Sequence, residues 1–175
     1  MQMIRFYLLT VTLLLIFIPQ TIWAKNAPPT GVDTYDHITV RIQENDIVAI
    51  HGLFERYDST VNAGQAEEWM SLFSDDIIWM NPDQPALVGK DAVRGSVGPL
   101  FADLNNEHVI TVDEVSVAGN WAFVRTTYTW RFTPKAGGET SEELGKEVFI
   151  LRRQTDSSWR ITRAIWNKNH TAPAQ

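Results

Sequence analysis

DIVAIHGLFERYDSTVNAGQAEEWMSLFSDDIIWMNP, residues 46–82, carries the pattern of two helices and the start of a strand. Ile47, Ile50, Phe54, Tyr57 and Val61 recur at i, i+3, i+7, i+10 and i+14. At about 100° per residue they fall in a stripe roughly 80° wide, the buried face of a long helix. Gly64 follows Asn62-Ala63 and stops the helix, because Gly takes the left-handed cap conformation without strain. Gln65 to Phe73 reads as a short second helix with Trp69, Leu72 and Phe73 on its apolar side. Asp75-Asp76 ends it. Ile77 to Met80 reads as a strand that stops at Pro82.

Tyr57 stands out within the stripe. Packing alone would be served by an aliphatic side chain, and a buried phenol needs a hydrogen-bond partner. Two readings stay open: a hydroxyl satisfied by a backbone carbonyl in the core, or a donor aimed into a cavity.

Around this stretch the chain divides simply. Arg5, the apolar run Leu8 to Ile18 and the Trp23-Ala24 site make residues 1–24 a secretory signal peptide, too short in its apolar part to span a bilayer. Ile22 is large for a cleavage site, so an uncleaved anchor is the alternative. Removing 24 of 175 residues leaves 151, enough for a single domain. It also removes Arg5 and takes the formal charge from −6 to −7. An acidic chain is a poor partner for nucleic acid. With no Cys, disulfides and thiolate chemistry are excluded. A periplasmic or secreted protein with no stable membrane span after cleavage is expected, its mature chain starting at Lys25.

Residues 25–40 (KNAPPTGVDTYDHITV) are aperiodic and read as a flexible leader to a domain spanning 41–170, with 171–175 as a tail. Met80 to Val88 is a loop. A weak third helix follows Gly89, from Asp91 to about Leu104, kinked or split near Pro99. From His108 the period changes to two: strands are expected at 108–118, 121–132, 144–153 and 159–168, joined as an antiparallel meander. In the second, Ala122, Val124, Thr126, Tyr128, Trp130 and Phe132 share one face. Trp121 and Phe123 lie on the other with Arg125 and Arg131. Large aromatics there suggest a covered face, hence a homodimer packed sheet on sheet.

RYDSTVNAG (56–64), LFSDD (72–76), NP (81–82), the Gly89 turn before KDAV and WRITRAIWN (159–167) resemble, in order and spacing, the nuclear transport factor 2-like superfamily. That superfamily includes SnoaL-like cyclases and ketosteroid isomerases, and the likeness covers roughly residues 42–169. It implies an α+β cone, cystatin-like: a curved antiparallel sheet wrapped around the long N-terminal helix, with a pocket in its mouth and a dimer through the sheet. The family's isomerases use a Tyr donor on the first helix, an Asp base after the second helix and a protonated Asp donor on a later strand. Tyr57 matches the first. Asn81 stands where the base would be, and an amide cannot abstract a proton. Val97 replaces a supporting Tyr. Glu147 is the only acid near the second donor position, and Trp166 matches a pocket wall.

Other candidates are weaker. Asp58 and His51 flank the buried stripe, Asp83 lies in a loop, and Arg94 on the third helix could hold an anion. His37, His51, His108 and His170 show no metal-ligand spacing, so no metal or cofactor is expected. There is no phosphate loop and no GxSxG elbow.

Three functions fit. The first is a pocket for a small, largely apolar molecule, lined by Phe54, Tyr57, Trp69, Trp79, Asn81, Trp130 and Trp166. The second is a cofactor-free isomerase, cyclase or dehydratase, with Tyr57 as donor and Glu147 or Asp58 as base. The third is a non-catalytic interaction domain whose core fills its own cavity. A cavity of several hundred cubic ångströms favours the first two.

Overall fold

The computed structural model describes residues 32–169, with side chains from residue 43 onward. Residues 1–24, read as a signal peptide, the beginning of the stretch read as leader and the tail 171–175 lie outside the described residues. Helix α1, Val32–Asn62, starts inside the stretch read as leader. Compact packing begins at Thr39. No described helix is long and apolar enough to cross a membrane.

After α1 come α2 (Ala66–Met70), β1 (Phe73–Met80), β2 (Leu87–Val88), α3 (Lys90–Asp103), β3 (Leu104–Ala118), β4 (Trp121–Pro134), β5 (Ser141–Arg153) and β6 (Trp159–Lys168). The strands form one curved, unclosed sheet in the order β2-β1-β6-β5-β4-β3. β3 to β6 make the expected antiparallel meander, full length in register apart from shifts at Val112/Glu114 and Ile150/Leu151. Such irregularities bend and twist long strands. The concave face and the apolar face of α1 share one core that includes Ile50, Phe54, Phe73, Phe149 and Ile161.

Three expectations are corrected. α2 ends at Met70, and Phe73 already belongs to β1. Asp75 and Asp76 therefore sit inside that strand, on exposed positions, where the pairing with β6 slips between Phe73 and Ile78. Their charges are met from outside, by Lys90 on Asp75 at 3.1 Å and Arg152 on Asp76 at 2.9 Å. Next, the sheet is not wholly antiparallel, since β1 runs parallel to β6. β1 arrives from the helices rather than through a hairpin, so no tight turn forces it to reverse. Last, α3 is not split at Pro99 but continues through it as one helix.

Two sets of polar contacts fix α1 on the sheet. Asp46 is buried, accepts from Arg153 Nη1 at 2.6 Å, and is ion-paired with Nη2 as well. The same guanidinium lies 4.4 Å over the ring of Trp159, a cation–π contact. More than three turns further along, α1 meets the free edge of β3. Asn62 accepts from the His108 backbone N–H at 2.6 Å and donates to the His108 carbonyl at 2.8 Å. Asp58 Oδ2 accepts from the Ile110 N–H at 2.8 Å.

Candidate functional site

β3 is the last strand of the sheet, so every second N–H and C=O on its outer edge lacks a strand partner. The side chains of Asp58 and Asn62, one helical turn apart, take that place. Having docked there, Asp58 has one oxygen left. Its Oδ1 lies 2.6 Å from Nδ1 of His108, whose side chain is 8% exposed. Asp58 as a carboxylate can only accept, so Nδ1–H donates to it, and in the neutral imidazole Nε2 is left as the acceptor. His108 lines a cavity of about 370 Å³ enclosed by the inner face of the sheet and the helices. That volume is in the range of small-molecule sites.

Most of the expected site residues meet here. Tyr57, Trp69 and Trp79 line the cavity from α1, α2 and β1. Trp130, Glu147 and Trp166 line it from β4, β5 and β6. Asn81 is also present: its Oδ1 accepts from the Trp166 indole N–H at 3.0 Å and holds that wall in place. Trp130 is held likewise, donating to Asn106 Oδ1 at 3.0 Å. Phe54 is the exception. It is 1% exposed and packs on Phe149 at 5.0 Å between centroids, one layer behind the wall, because the helical stripe carries it past the cavity into the core.

Of the weaker candidates, His51 and Asp83 are exposed. Arg94 is tied on the surface to Glu67 at 3.0 Å and Asp91 at 2.6 Å, away from the cavity. Among the described residues no three His, Asp or Glu side chains cluster as metal ligands do.

The ionisable groups fall into distinct roles. Tyr57 is pushed well above its ordinary range, first by burial and then by the negative charges of Glu147 and Asp58. It is thus a neutral donor. The indole N–H of Trp69 lies beside its hydroxyl and acts in the opposite direction, favouring the phenolate. That N–H falls short of hydrogen-bond geometry and has no other partner. Glu147 is raised from its ordinary 4.5 to about 8, mainly by burial and further by Asp58, against a hydrogen bond from Thr126 that lowers it. At 3.0 Å, Thr126 Oγ1 donates to one Glu147 oxygen. At neutral pH, therefore, the Glu147 carboxyl is mostly protonated and is a donor rather than a base.

Sequence reasoning missed His108, weighed only as a metal ligand, and undervalued Asp58. The signal available was modest: His108 shares the inward face of its strand with Ile110 and Val112, and Asp58 and Asn62 share one side of the helix. Nothing in the sequence pairs that side with that strand, 50 residues away.

Residues 54–163, more than half of the chain, match the model of the SnoaL-like domain, and the chain belongs to this family. No curated protein matches it. A solved ketosteroid isomerase-like protein from Erwinia carotovora atroseptica is 26% identical, with 71% of this chain and 96% of that one covered at a TM-score of 0.63. A nuclear transport factor 2-like protein with a cystatin-like fold from Novosphingobium aromaticivorans is 20% identical over 80% of this chain and 92% of that one, TM-score 0.65. A provisionally named scytalone dehydratase from the same organism is 15% identical over 78% and 92%, TM-score 0.69. The last two establish the fold alone.

Two predictions come from this geometry. Glu147 keeps a proton in the folded state that the unfolded chain has lost, so stability falls as pH rises from about 4.5 to about 8 and is flat above. Urea titrations should show that slope, and Glu147→Gln should remove it. Tyr57→Phe orphans no backbone carbonyl, so its unfolding free energy should shift by less than about 1 kcal/mol. A larger loss would return Tyr57 to a purely structural role.

Proposed function

We propose that the chain binds a small, largely apolar carbonyl compound and moves a proton next to its carbonyl, in an isomerisation or a dehydration. The observation that carries this reading is His108 at the cavity wall with its Nδ1 held 2.6 Å from Asp58, the arrangement that makes Nε2 the acceptor of a neutral imidazole. The roles are then simple. Tyr57 Oη–H and the protonated Glu147 carboxyl donate to the ligand oxygen. His108 Nε2 takes the proton from the carbon beside the carbonyl, and the electron pair moves onto the oxygen as an enolate. Asp58 stabilises the imidazolium that forms. Imidazolium then returns the proton to a different carbon, which completes an isomerisation. Alternatively it gives the proton to a β-hydroxyl that leaves as water, which completes a dehydration. The base is therefore His108 rather than Glu147 or Asp58, and Asn81 is a support for Trp166.

Hydrogen–deuterium exchange at the methyl group of 2-acetylnaphthalene in D2O tests this. The protein should accelerate exchange, and the rate should decline above about pH 8 as Glu147 loses its proton. His108→Ala should lower it by roughly 100-fold or more, the usual worth of a general base. Exchange no faster than in buffer, or untouched by His108→Ala, would overturn the reading.

Assembly and export belong to the same reading. On the outer face of the sheet Trp121 is 46% exposed, Phe123 stands opposite Ile150, and Val148 stands opposite Ile165, itself 46% exposed. This apolar stripe supports a homodimer burying on the order of 1,200–2,000 Å². Sedimentation at micromolar concentration should give twice the chain mass, and Ile165→Glu should give monomer; a monomeric parent protein contradicts the dimer. Export through residues 1–24, to the periplasm or outside the cell, is read directly by N-terminal sequencing, with Lys25 expected first and a retained Met1 the contrary result.

A further inference from the structure

Charge is placed unevenly around the cavity. Lys168, at the end of β6, is the one Lys or Arg among the described lining residues. Its Nζ is ion-paired with Glu143 Oε2. The other oxygen of Glu143 accepts the Tyr128 hydroxyl at 2.6 Å. The Glu143 side chain is 8% exposed against 50% for Lys168, so the carboxylate is the fixed partner and the ammonium comes to it.

Gly145 is the reason Glu143 has this shape of site. It stands directly across from Tyr128 in the β4–β5 register. A Cβ at Gly145 would come within 2.3 Å of the phenol ring. Only glycine lets the ring lie flat over β5 and reach Glu143, two residues along the same face. The Tyr128 ring in turn stacks on His108, 5.8 Å between centroids and 18° between planes.

An anion entering the cavity would meet the Glu143 carboxylate, the Glu147 carboxyl group and the charge of Asp58 behind His108. The one Lys or Arg among the described lining residues is already neutralised. Two like charges a few ångströms apart in a partly dry site repel, and a withheld cation offers nothing in return. We infer that the cavity selects uncharged ligands over anionic ones, and that Glu143 is the residue that sets this preference by occupying Lys168. The inference rests on the proposed carbonyl-binding role of the same cavity and adds its charge rule.

A matched pair of probes tests it: 2-acetylnaphthalene and 2-naphthoate, nearly equal in shape, one neutral and one anionic at pH 7. Dissociation constants for wild type, Glu143→Gln and Lys168→Met are read by tryptophan fluorescence. Wild type should bind the ketone at least about tenfold more tightly than the naphthoate. Glu143→Gln keeps an acceptor for Tyr128 and frees Lys168, so the ketone-to-naphthoate preference should fall by about tenfold. Lys168→Met leaves the Glu143 carboxylate uncompensated, so naphthoate should bind more weakly and the ketone preference should rise. Equal binding of both probes by wild type overturns the inference, and so does a preference unchanged in Glu143→Gln. Should Glu143→Gln not fold, a gain of naphthoate affinity in Lys168→Met overturns it as well. If the ketone binds but the preference is absent, the charge rule alone falls. If the ketone does not bind at all, the carbonyl-binding role falls with it.

Discussion

The free edge of β3 is the constraint on which the site depends. An edge strand with bare N–H and C=O groups is both a loss of hydrogen bonding and an invitation to pair with another chain. Here α1 lies along it, and Asn62 and Asp58 satisfy its groups at His108 and Ile110. The contact does structural work first. Its consequence is chemical: the carboxylate that caps the Ile110 N–H also faces Nδ1 of His108. One docking event sets the helix, the strand and the tautomer of the imidazole.

Burial then divides the remaining acids by role. Asp58 has a backbone donor and an imidazole as partners and is 22% exposed. Glu147 has a single hydroxyl donor and is 6% exposed, so the protonated form wins near neutral pH. Glu143 has a phenol and an ammonium and stays paired. Three carboxyl groups around one cavity thus differ in what they can do because of the donors each one finds. The aromatic walls hold these groups in a fixed frame, since the indoles of Trp130 and Trp166 are each anchored by an asparagine.

Much of the fold was legible because it is written in periods. The stripe on α1 and the alternation in β3 to β6 each report a buried face. The strand boundaries at Trp121 and at Trp159 to Lys168 came out as read. β1 was misread because Leu72-Phe73 continues a helical apolar pattern, while Asp75 and Asp76 lie at an irregularity that no alternation predicts. Of the residues that line the cavity, Tyr57, Trp69, Trp79, Asn81, Trp130, Glu147 and Trp166 were legible as inward positions, since inward aromatics and a lone inward acid are visible in a pattern. Phe54 was over-assigned because the same stripe that lines the cavity also fills the core. His108 with Asp58 was missed for a different reason. The pairing is a tertiary fact between a helix and a strand edge, and neither residue has a sequence neighbour that announces the other.

The central claim is that His108 presents an unprotonated Nε2 to the cavity while Nδ1–H is held by Asp58. Nitrogen NMR of the histidine side chains reads this directly at pH 8, with His108 assigned by its loss in His108→Gln. A protonated Nδ1 and an unprotonated Nε2, reverting toward a mixture of tautomers in Asp58→Asn, is the result the account predicts. A proton on Nε2 in the parent protein, with Nδ1 bare, would contradict it.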